Sequence, residues 1–301
     1  MKKIEYLFLA GLPKAGTTSL ADWIISVMDL PKQLKEPGYL YNCDATASCY
    51  RGRKTSKRHV KFGDLPDDSN YVFDASPHYL HKDHFSNFAE NIRNLKLQNH
   101  KIKVLIILKD PIERAISHFD HHKRDNVEPL EIEQVLTPGN FSLRRKDLPS
   151  LWTGYDYLGD SKFSLSLLRL ENMLDEDELF ISHSSILFKK VEEKNRLIRF
   201  LGVKNRKYPS FKKLNSSGIP KSKFSKLFLN IIHFSSLIAA RLVSSKKTTD
   251  MLKRIKQSAL NILPLKKVTG SRLSDSLYLR LQKEYQEEYR IIRKLHSEYD
   301  A

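Results

Sequence analysis

The sequence predicts an α/β fold of three layers, a central parallel sheet flanked by helices, with a helical C-terminal extension. Two observations carry this expectation. Short apolar runs that begin or end at Gly, Pro or Asp alternate with longer segments of helical periodicity, the rhythm of successive βαβ units. One run, Lys103-Val-Leu-Ile-Ile-Leu108, is apolar on both faces, as a central strand covered by helices on two sides must be. At 40% hydrophobic and 29% charged residues, the chain has enough apolar material for a core and too little for a membrane bundle. No Pro/Gly/Ser-rich linker divides its 301 residues. Residues 1–215 are therefore expected to form one α/β core, and residues 216–301 a helical extension packed on the same domain.

In chain order, the apolar runs place strands at Glu5 to Ala10, Tyr71 to Asp74, Lys103 to Leu108 and Leu179 to Ser182. Helical spacing predicts helices at Thr17 to Met28, Phe85 to Leu95, Ile112 to Lys123, Phe163 to Leu174 and Ile186 to Leu201. The last carries Leu187, Val191, Ile198 and Leu201 on one face and stops at Gly202, which accepts the left-handed conformation that often ends helices. Near the C-terminus Leu277, Leu281, Tyr285, Tyr289, Ile292 and Leu295 recur at three and four residues, predicting one long amphipathic helix suited to docking. Residues 221–268 carry little readable pattern. Their apolar stretch, Leu227 to Val243, contains Asn230, His233 and two serines and falls short of the about 20 apolar residues that span a bilayer. Basic residues flank it on both sides, which leaves peripheral contact with an anionic membrane open.

The 52 Lys and Arg outnumber the 35 Asp and Glu by 17, so the surface field attracts anions: nucleotides, acidic glycans, nucleic acid or anionic lipid. A nucleic-acid-binding face would interleave aromatic residues with Lys and Arg, whereas the tyrosines here sit mostly at helix-periodic positions, and no specific nucleic-acid partner is expected. The N-terminal run Leu7-Phe8-Leu9-Ala10 is too short for a signal-peptide core. Cys43 and Cys49, six positions apart, fit neither a CxxC redox pair nor a zinc pattern, and the expectation is reduced thiols in the cytoplasm.

After the first strand comes Gly11-Leu12-Pro13-Lys14-Ala15-Gly16-Thr17-Thr18-Ser19, and then a helix. A strand, a tight loop of small residues and a helix start bring free backbone N–H groups and a positive dipole end to one point, which is a phosphate site. The loop has the two glycines of a Walker A motif at the right separation, but Thr17 stands where that motif has Lys; the lysine, Lys14, precedes Gly16 instead. A second strand-to-helix passage reads Lys109-Asp110-Pro111-Ile112-Glu113-Arg114-Ala115-Ile116-Ser117-His118-Phe119. It puts a cation at a strand end and a hydroxyl eight residues on.

Together these segments resemble the sulfotransferase superfamily that uses 3′-phosphoadenosine 5′-phosphosulfate (PAPS), in particular its glycan and heparan-sulfate type. There Pro-Lys-Ala-Gly-Thr-Thr holds the 5′-phosphosulfate, and Arg-Asp-Pro-x-x-Arg-Ala-x-Ser-x-Tyr binds the 3′-phosphate. The resemblance implies a P-loop-like fold, PAPS as cofactor, adenosine 3′,5′-bisphosphate (PAP) as product and no metal. It implies cofactor contacts from Lys14, Ala15, Gly16, Thr17, Thr18, Ser19, Lys109 and Ser117. Lys109 replaces the usual Arg, keeping the charge but losing the planar fork, so Arg114 is expected to share the load. Lys35-Glu36-Pro37-Gly38-Tyr39-Leu40 is similar to the family's Lys-Glu-x-x-Phe-Phe region, where the glutamate is the proposed base, so Glu36 becomes the candidate base and Lys35 an acceptor contact. Phe73-Asp74-Ala75-Ser76-Pro77-His78-Tyr79 is similar to the Ser-Pro-x-Tyr segment on the acceptor side, with Ala75 where many members carry Lys. His78 can serve as an alternative base. Tyr157-Leu158-Gly159 and Phe200-Leu201-Gly202-Val203 extend the resemblance to about Val203.

The function implied is sulfuryl transfer to a hydroxyl of a carbohydrate or glycolipid, at the inner face of the membrane if the acceptor is lipid-linked. A P-loop nucleotide kinase or hydrolase would explain the first loop but not residues 109–117, and no apolar run ends in a magnesium-binding Asp. A basic nucleic-acid-binding protein remains the third reading.

Overall fold

The computed structural model describes residues 3–30, 38, 40, 71–124, 128–139, 156–203, 211, 218–220, 265–267 and 271–300. Four strands, β1 (Glu5–Gly11), β2 (Tyr71–Asp74), β3 (Lys101–Leu108) and β4 (Leu179–His183), form one sheet in the order β2-β1-β3-β4. Every neighbour is parallel. Parallel strands need crossovers, and those after β1, β2 and β3 contain α1 (Thr17–Met28), α2 (Lys82–Leu97) and α3 (Pro111–Arg124). The first three strands start and stop within three residues of the sequence expectation, because their apolar runs are bounded by charge or by chain-breaking residues.

Leu7, Phe8 and Leu9 of β1 and Val104 to Leu108 of β3 are wholly buried, as strands with both faces covered must be. Leu20, Trp23 and Ile24 of α1, Phe85, Phe88 and Ile92 of α2 and Leu197 and Leu201 further along the chain close over them in one core. Each large apolar side chain so buried contributes about 1.5–3 kcal/mol. α2 begins at Lys82, three residues before the first periodic apolar position. His81 caps it, its Nδ1 accepting from the Asp83 N–H at 3.2 Å.

Three expected helices differ in the structure. The stretch predicted at Phe163 to Leu174 is a shorter helix, α5 (Ser164–Glu171), preceded by the short α4 (Ile132–Leu136) and by a single 3₁₀ turn at Gly159–Ser161. The helix predicted from Ile186 to Leu201 is broken into α6 (Ser184–Leu187) and α7 (Val191–Leu201). Val191, expected to face inward, is 60% exposed, because the chain restarts there. The inward positions of α7 are Glu193, Leu197 and Leu201, and the buried Glu193 carboxylate is held by two hydrogen bonds from Arg196, at 2.8 and 2.7 Å. Gly202 ends α7 in the left-handed conformation at φ 71°, as its position in the sequence predicts.

The long C-terminal helix is two, α8 (Asp275–Glu284) and α9 (Gln286–Asp300), interrupted at Tyr285. Tyr285 is buried, its hydroxyl donates to the Leu158 carbonyl at 3.0 Å, and backbone bonds still run across it, from the Tyr285 N–H to Leu281 and from the Tyr289 N–H to Tyr285, each at 3.0 Å. Leu277, Leu281 and Tyr285 join Ile112, Ala115 and Phe119 of α3 in a second core, while Ile292 of α9 belongs to the first. Residues 218–220 (β5) and 265–267 (β6) pair as a short antiparallel ribbon that the sequence pattern did not predict. No helix among the described residues is long and apolar enough to cross a membrane.

Candidate functional site

The strand order sets where a ligand can sit. From β1 the chain crosses to β2 on one side, and then returns past β1 to β3 on the other. The loops leaving β1 and β3 therefore diverge, and the crevice beyond the carboxyl ends of those two strands is the natural binding place in an open parallel sheet. Both segments expected to hold phosphate begin there: residues 12–16 follow β1 and residues 109–110 follow β3. The two strand ends are tied together by the Leu12 N–H donating to the Ile107 carbonyl at 2.8 Å.

The first loop is tight. Lys14 and Gly16 both take positive φ, 70° and 97°, and the Ala15 N–H closes a turn on the Leu12 carbonyl at 3.1 Å. Alternation of this kind turns successive backbone N–H groups toward one concavity, which favours an anion. α1 then starts at Thr17 with no side-chain cap, so the N–H groups of its first turn face the same point with the positive end of the helix dipole. Ala15 and Thr17 are buried, whereas Lys14, Thr18 and Ser19 are half-buried and so partly accessible.

Gly16 is required twice over. Its φ suits glycine, and a methyl group there would lie 2.7 and 2.9 Å from ring carbons of Phe188. Phe188 leaves the end of α6 to cover the loop, backed edge-on by Phe211 at 5.0 Å, which in turn meets Trp23 of α1 at 4.8 Å. Phe188 escaped the sequence reading because its neighbours fit a helical period.

On the second segment, Lys109 and Asp110 are half-buried at the end of β3, and Ser117 is half-buried one and a half turns into α3. Arg114 does not join them. It is fully buried, its Nε donates to Ser161 Oγ at 2.6 Å, one terminal nitrogen donates to the Tyr157 carbonyl, and the other lies 3.3 Å from His118 Nδ1. Asp160 stands 3.9 Å from it as counter-ion. The expectation that Arg114 reinforces Lys109 at a phosphate is at odds with this geometry: a guanidinium without solvent access, with its donors engaged inside, is an internal fastening.

The acceptor-side segment follows β2. Ser76 Oγ donates to Asp74 Oδ1 at 2.5 Å and accepts from the Gly38 N–H at 2.8 Å; the Tyr79 hydroxyl donates to Asp74 Oδ2 and accepts from the Leu40 N–H at 3.0 Å. Ser76 and Tyr79 thus anchor Gly38 and Leu40 at the end of β2. Glu36 and Lys35 lie outside the described residues, as do Cys43 and Cys49. A methyl group at Gly11 would meet Leu80 Cδ1 at 2.9 Å and the Pro77 carbonyl oxygen at 3.8 Å, so the turn carrying His78 packs against the start of the phosphate loop.

His78 is buried, with Nδ1 3.4 Å from Asp160 Oδ1. A second pair, His81 Nε2 and Asp156 Oδ2 at 3.6 Å, lies beside it. These pairs clasp the turn at residues 156–161 onto the turn at residues 78–82. Burial alone would raise the Asp160 carboxyl, but His78, His81 and Arg114 around it hold it well below the usual carboxylate range. Burial likewise lowers His81, yet the Asp156 carboxylate 3.6 Å from its Nε2 and the charges of Asp160 and Asp83 leave it raised. His84 is pushed down to about 4 by burial and by His81 and His78. His118 is driven well below its ordinary value by burial, Arg114 and His122. His183, at the end of β4, falls to about 4 through burial and His296. Among the described residues no three His, Cys, Asp or Glu side chains form a metal-holding group.

No protein-family model matches the chain, and no curated protein does. Among solved structures it is similar to a sulfotransferase from Alicyclobacillus acidocaldarius, at 19% identity over 79% of this chain and 94% of that one, with a TM-score of 0.47. It is also similar to mouse sulfotransferase SULT7A1 complexed with PAP, at 14% identity over 85% and 89% of the two chains, with a TM-score of 0.40. A third is the sulfotransferase domain from the curacin biosynthetic pathway, at 14% identity over 69% and 76%, with a TM-score of 0.36.

Two outcomes follow from the site's construction. Gly16→Ala combines a disfavoured φ with contact against Phe188, so chemical denaturation should register a loss of about 1–3 kcal/mol; an unchanged midpoint would show that the loop is not clamped. The histidines set the acid limit. His84, His118 and His183 have depressed values, so the unfolded chain takes up protons as pH falls through 6.5 that the folded chain refuses. Their contribution is complete above 6.5 and is lost on acidification, at up to about 1.4 kcal/mol per pH unit for each. His81 acts in the opposite sense, contributing fully below 6.5 and less as pH rises through its raised value. Three outweigh one, so the melting temperature should fall from pH 6.5 towards 4.5, and His84→Gln should make that fall shallower.

Proposed function

We propose that the chain is a sulfotransferase that moves the sulfuryl group of PAPS to a hydroxyl of a carbohydrate or glycolipid, releasing PAP. One observation carries the reading: two different anion-binding segments, 11–19 and 109–117, leave neighbouring strands β1 and β3 at the crevice of the sheet. A single phosphate loop suits any nucleotide. A second cationic strand end on the adjacent strand suits a nucleotide with phosphate at both ends of its ribose.

The residues present fit such a ligand. At the concavity of Lys14 to Gly16 the glycine takes a positive φ where a Cβ would press on the Phe188 ring, and the first turn of α1 supplies N–H groups from Thr17, Thr18 and Ser19. When bound, the cofactor supplies the sulfuryl group and the anionic leaving phosphate. Lys14 neutralises charge developing on the bridging oxygen, and the backbone of Gly16 to Thr18 orients the 5′-phosphate. Lys109 and Ser117 hold the 3′-phosphate. Arg114 supports this arrangement from inside, keeping α3 seated so that Ser117 faces the crevice. Glu36 and His78 compete for the acceptor proton, with Lys35 on the acceptor side. The carbohydrate acceptor is favoured by the net positive charge of 17 and by the Glu-containing segment; the cytoplasm is the proposed location.

Titration with PAP, ATP and RNA separates this reading from its rivals: tight binding of PAP alone supports it, and preference for ATP or RNA overturns it. Within it, Lys14→Ala should lower turnover at saturating PAPS by about a hundredfold or more, the cost of one preorganised charge donor. Ser117→Ala should weaken PAP more than adenosine 5′-monophosphate in calorimetry. Equal weakening of both would make the residue structural.

A further inference from the structure

We propose that Asp110 determines specificity: its carboxylate closes the amino end of α3 to anions, so that a helix start receives a phosphate group only at α1. The proposal rests on the sulfotransferase reading above and sets which end of the cofactor goes to which segment.

α1 and α3 start beyond the carboxyl ends of adjacent strands, β1 and β3, and each brings the positive end of a helix dipole there. Their first turns differ. α1 follows Gly16, which has no side chain to offer, and no side chain caps it. α3 follows the half-buried Asp110. The Glu113 N–H donates to Asp110 Oδ1 at 2.8 Å, and the Arg114 N–H donates to the Asp110 carbonyl at 2.8 Å. Pro111, the first residue of the helix, has no N–H at all. Of the first three residues of α3, only Ile112 keeps an N–H outside these arrangements. The bond from Glu113 to Asp110 is exposed to solvent, so this helix end is open to an anion once the carboxylate is removed. With the carboxylate in place the donor is occupied, and an approaching phosphate meets a like charge.

The neighbouring groups leave that charge standing. Two ionisable side chains, His183 at the end of β4 and Tyr289 of α9, feel Asp110. Burial and His296 push His183 down to about 4 against the pull of Asp110. Burial and Asp110 raise the Tyr289 hydroxyl above its ordinary value. Both side chains are therefore neutral at pH 7, and neither cancels the carboxylate.

The two segments then bind phosphate by different means. The 5′ end of the cofactor goes to the loop and uncapped helix start after β1, where backbone donors and a dipole favour any anion. The 3′ end is left to side chains, the Lys109 ammonium and the Ser117 hydroxyl. A nucleotide with a single phosphate group has one favoured orientation in the crevice, because only one helix start is open to it.

Calorimetry on full-length protein tests the closure with two probes, adenosine 3′-monophosphate and adenosine 5′-monophosphate. Asp110→Ala opens the helix end. It should bind the 3′ compound about threefold to tenfold more tightly than wild type does, with the 5′ compound unchanged within about twofold, even though its melting temperature falls. Asp110→Asn keeps an acceptor for the Glu113 N–H and drops the charge, so it should move in the same direction by less. Weakening of both compounds in step makes Asp110 a helix cap only and overturns the proposal, as does an unchanged affinity for the 3′ compound in both variants. Amide nitrogen–proton spectra read the same point without a nucleotide. Inorganic phosphate should shift the Ile112 and Glu113 resonances of Asp110→Ala and leave them in place in wild type; shifts of both in the wild-type protein show an open helix end and sink the closure. If the wild-type chain binds no PAP, the sulfotransferase reading fails on that ground, and the phosphate titration still reports whether Asp110 closes α3.

Discussion

The Arg114 guanidinium, sealed from solvent, is the constraint on which the architecture around the crevice depends. Burying an isolated charge costs several kcal/mol even after relaxation, so it persists only where hydrogen bonds and a counter-ion surround it. Here Ser161 Oγ, the Tyr157 carbonyl, His118 and Asp160 surround it, and these groups come from α3 itself and from the turn at residues 156–161. Ser161 extends the fastening to the Pro111 carbonyl at the start of α3. Removing any one member leaves a charge or an acceptor stranded. The turn and the helix are therefore held in one relative position, and everything docked on either inherits it.

That fixed position matters because of how the sheet is wound. In a parallel sheet the loops at the carboxyl ends are free to carry chemistry, while the strands below are committed to packing. The loop after β1 is covered by Phe188, which ends α6 still in helical conformation, before the chain becomes extended at Lys190 and enters α7. On the proposed reading, the loop after β3 needs α3 to present Ser117 in a constant orientation. An interior ion pair does this without occupying the crevice, and an arginine able to reach a phosphate could not also do it.

The strands and the two strand-to-helix passages expected to hold phosphate were legible in the sequence because their signals are local: apolar runs of strand length, a Gly-Lys-Gly loop at a helix start, a cation and a serine eight residues apart. What escaped was set by tertiary partners. Arg114 has the spacing of a phosphate ligand, and only the presence of Ser161 and Asp160 on another turn shows that it points inward. Asp160 follows directly after a recognised Tyr-Leu-Gly segment, yet nothing local distinguishes it from the exposed acids at residues 175–177. Good helical patterns are also interrupted at residues 188–190 and at Tyr285, where Phe188 lies against Gly16 and the Tyr285 hydroxyl reaches the Leu158 carbonyl, contacts made far along the chain. His81 as a helix cap breaks the usual preference for Ser, Thr, Asp or Asn.

The C-terminal helices enter the site by the same route. Tyr285 donates to the Leu158 carbonyl, Glu288 accepts from the Ser164 hydroxyl at 2.7 Å, and Lys162 pairs with Glu284. These bonds grip the chain on both sides of Asp160, one at residue 158 and the others at residues 162–164. Because the exposed Lys162 pair is worth at most about 1 kcal/mol, the buried Tyr285 and Glu288 carry most of this hold. The region beyond residue 270 also packs directly on the strand-to-helix segment after β3, where Leu277, Leu281 and Tyr285 meet Ile112 and Ala115. It holds the turn at residues 156–161 and the start of α3 in one relative position, so a segment whose sequence reads only as helix periodicity is packed closely against α3 and α5.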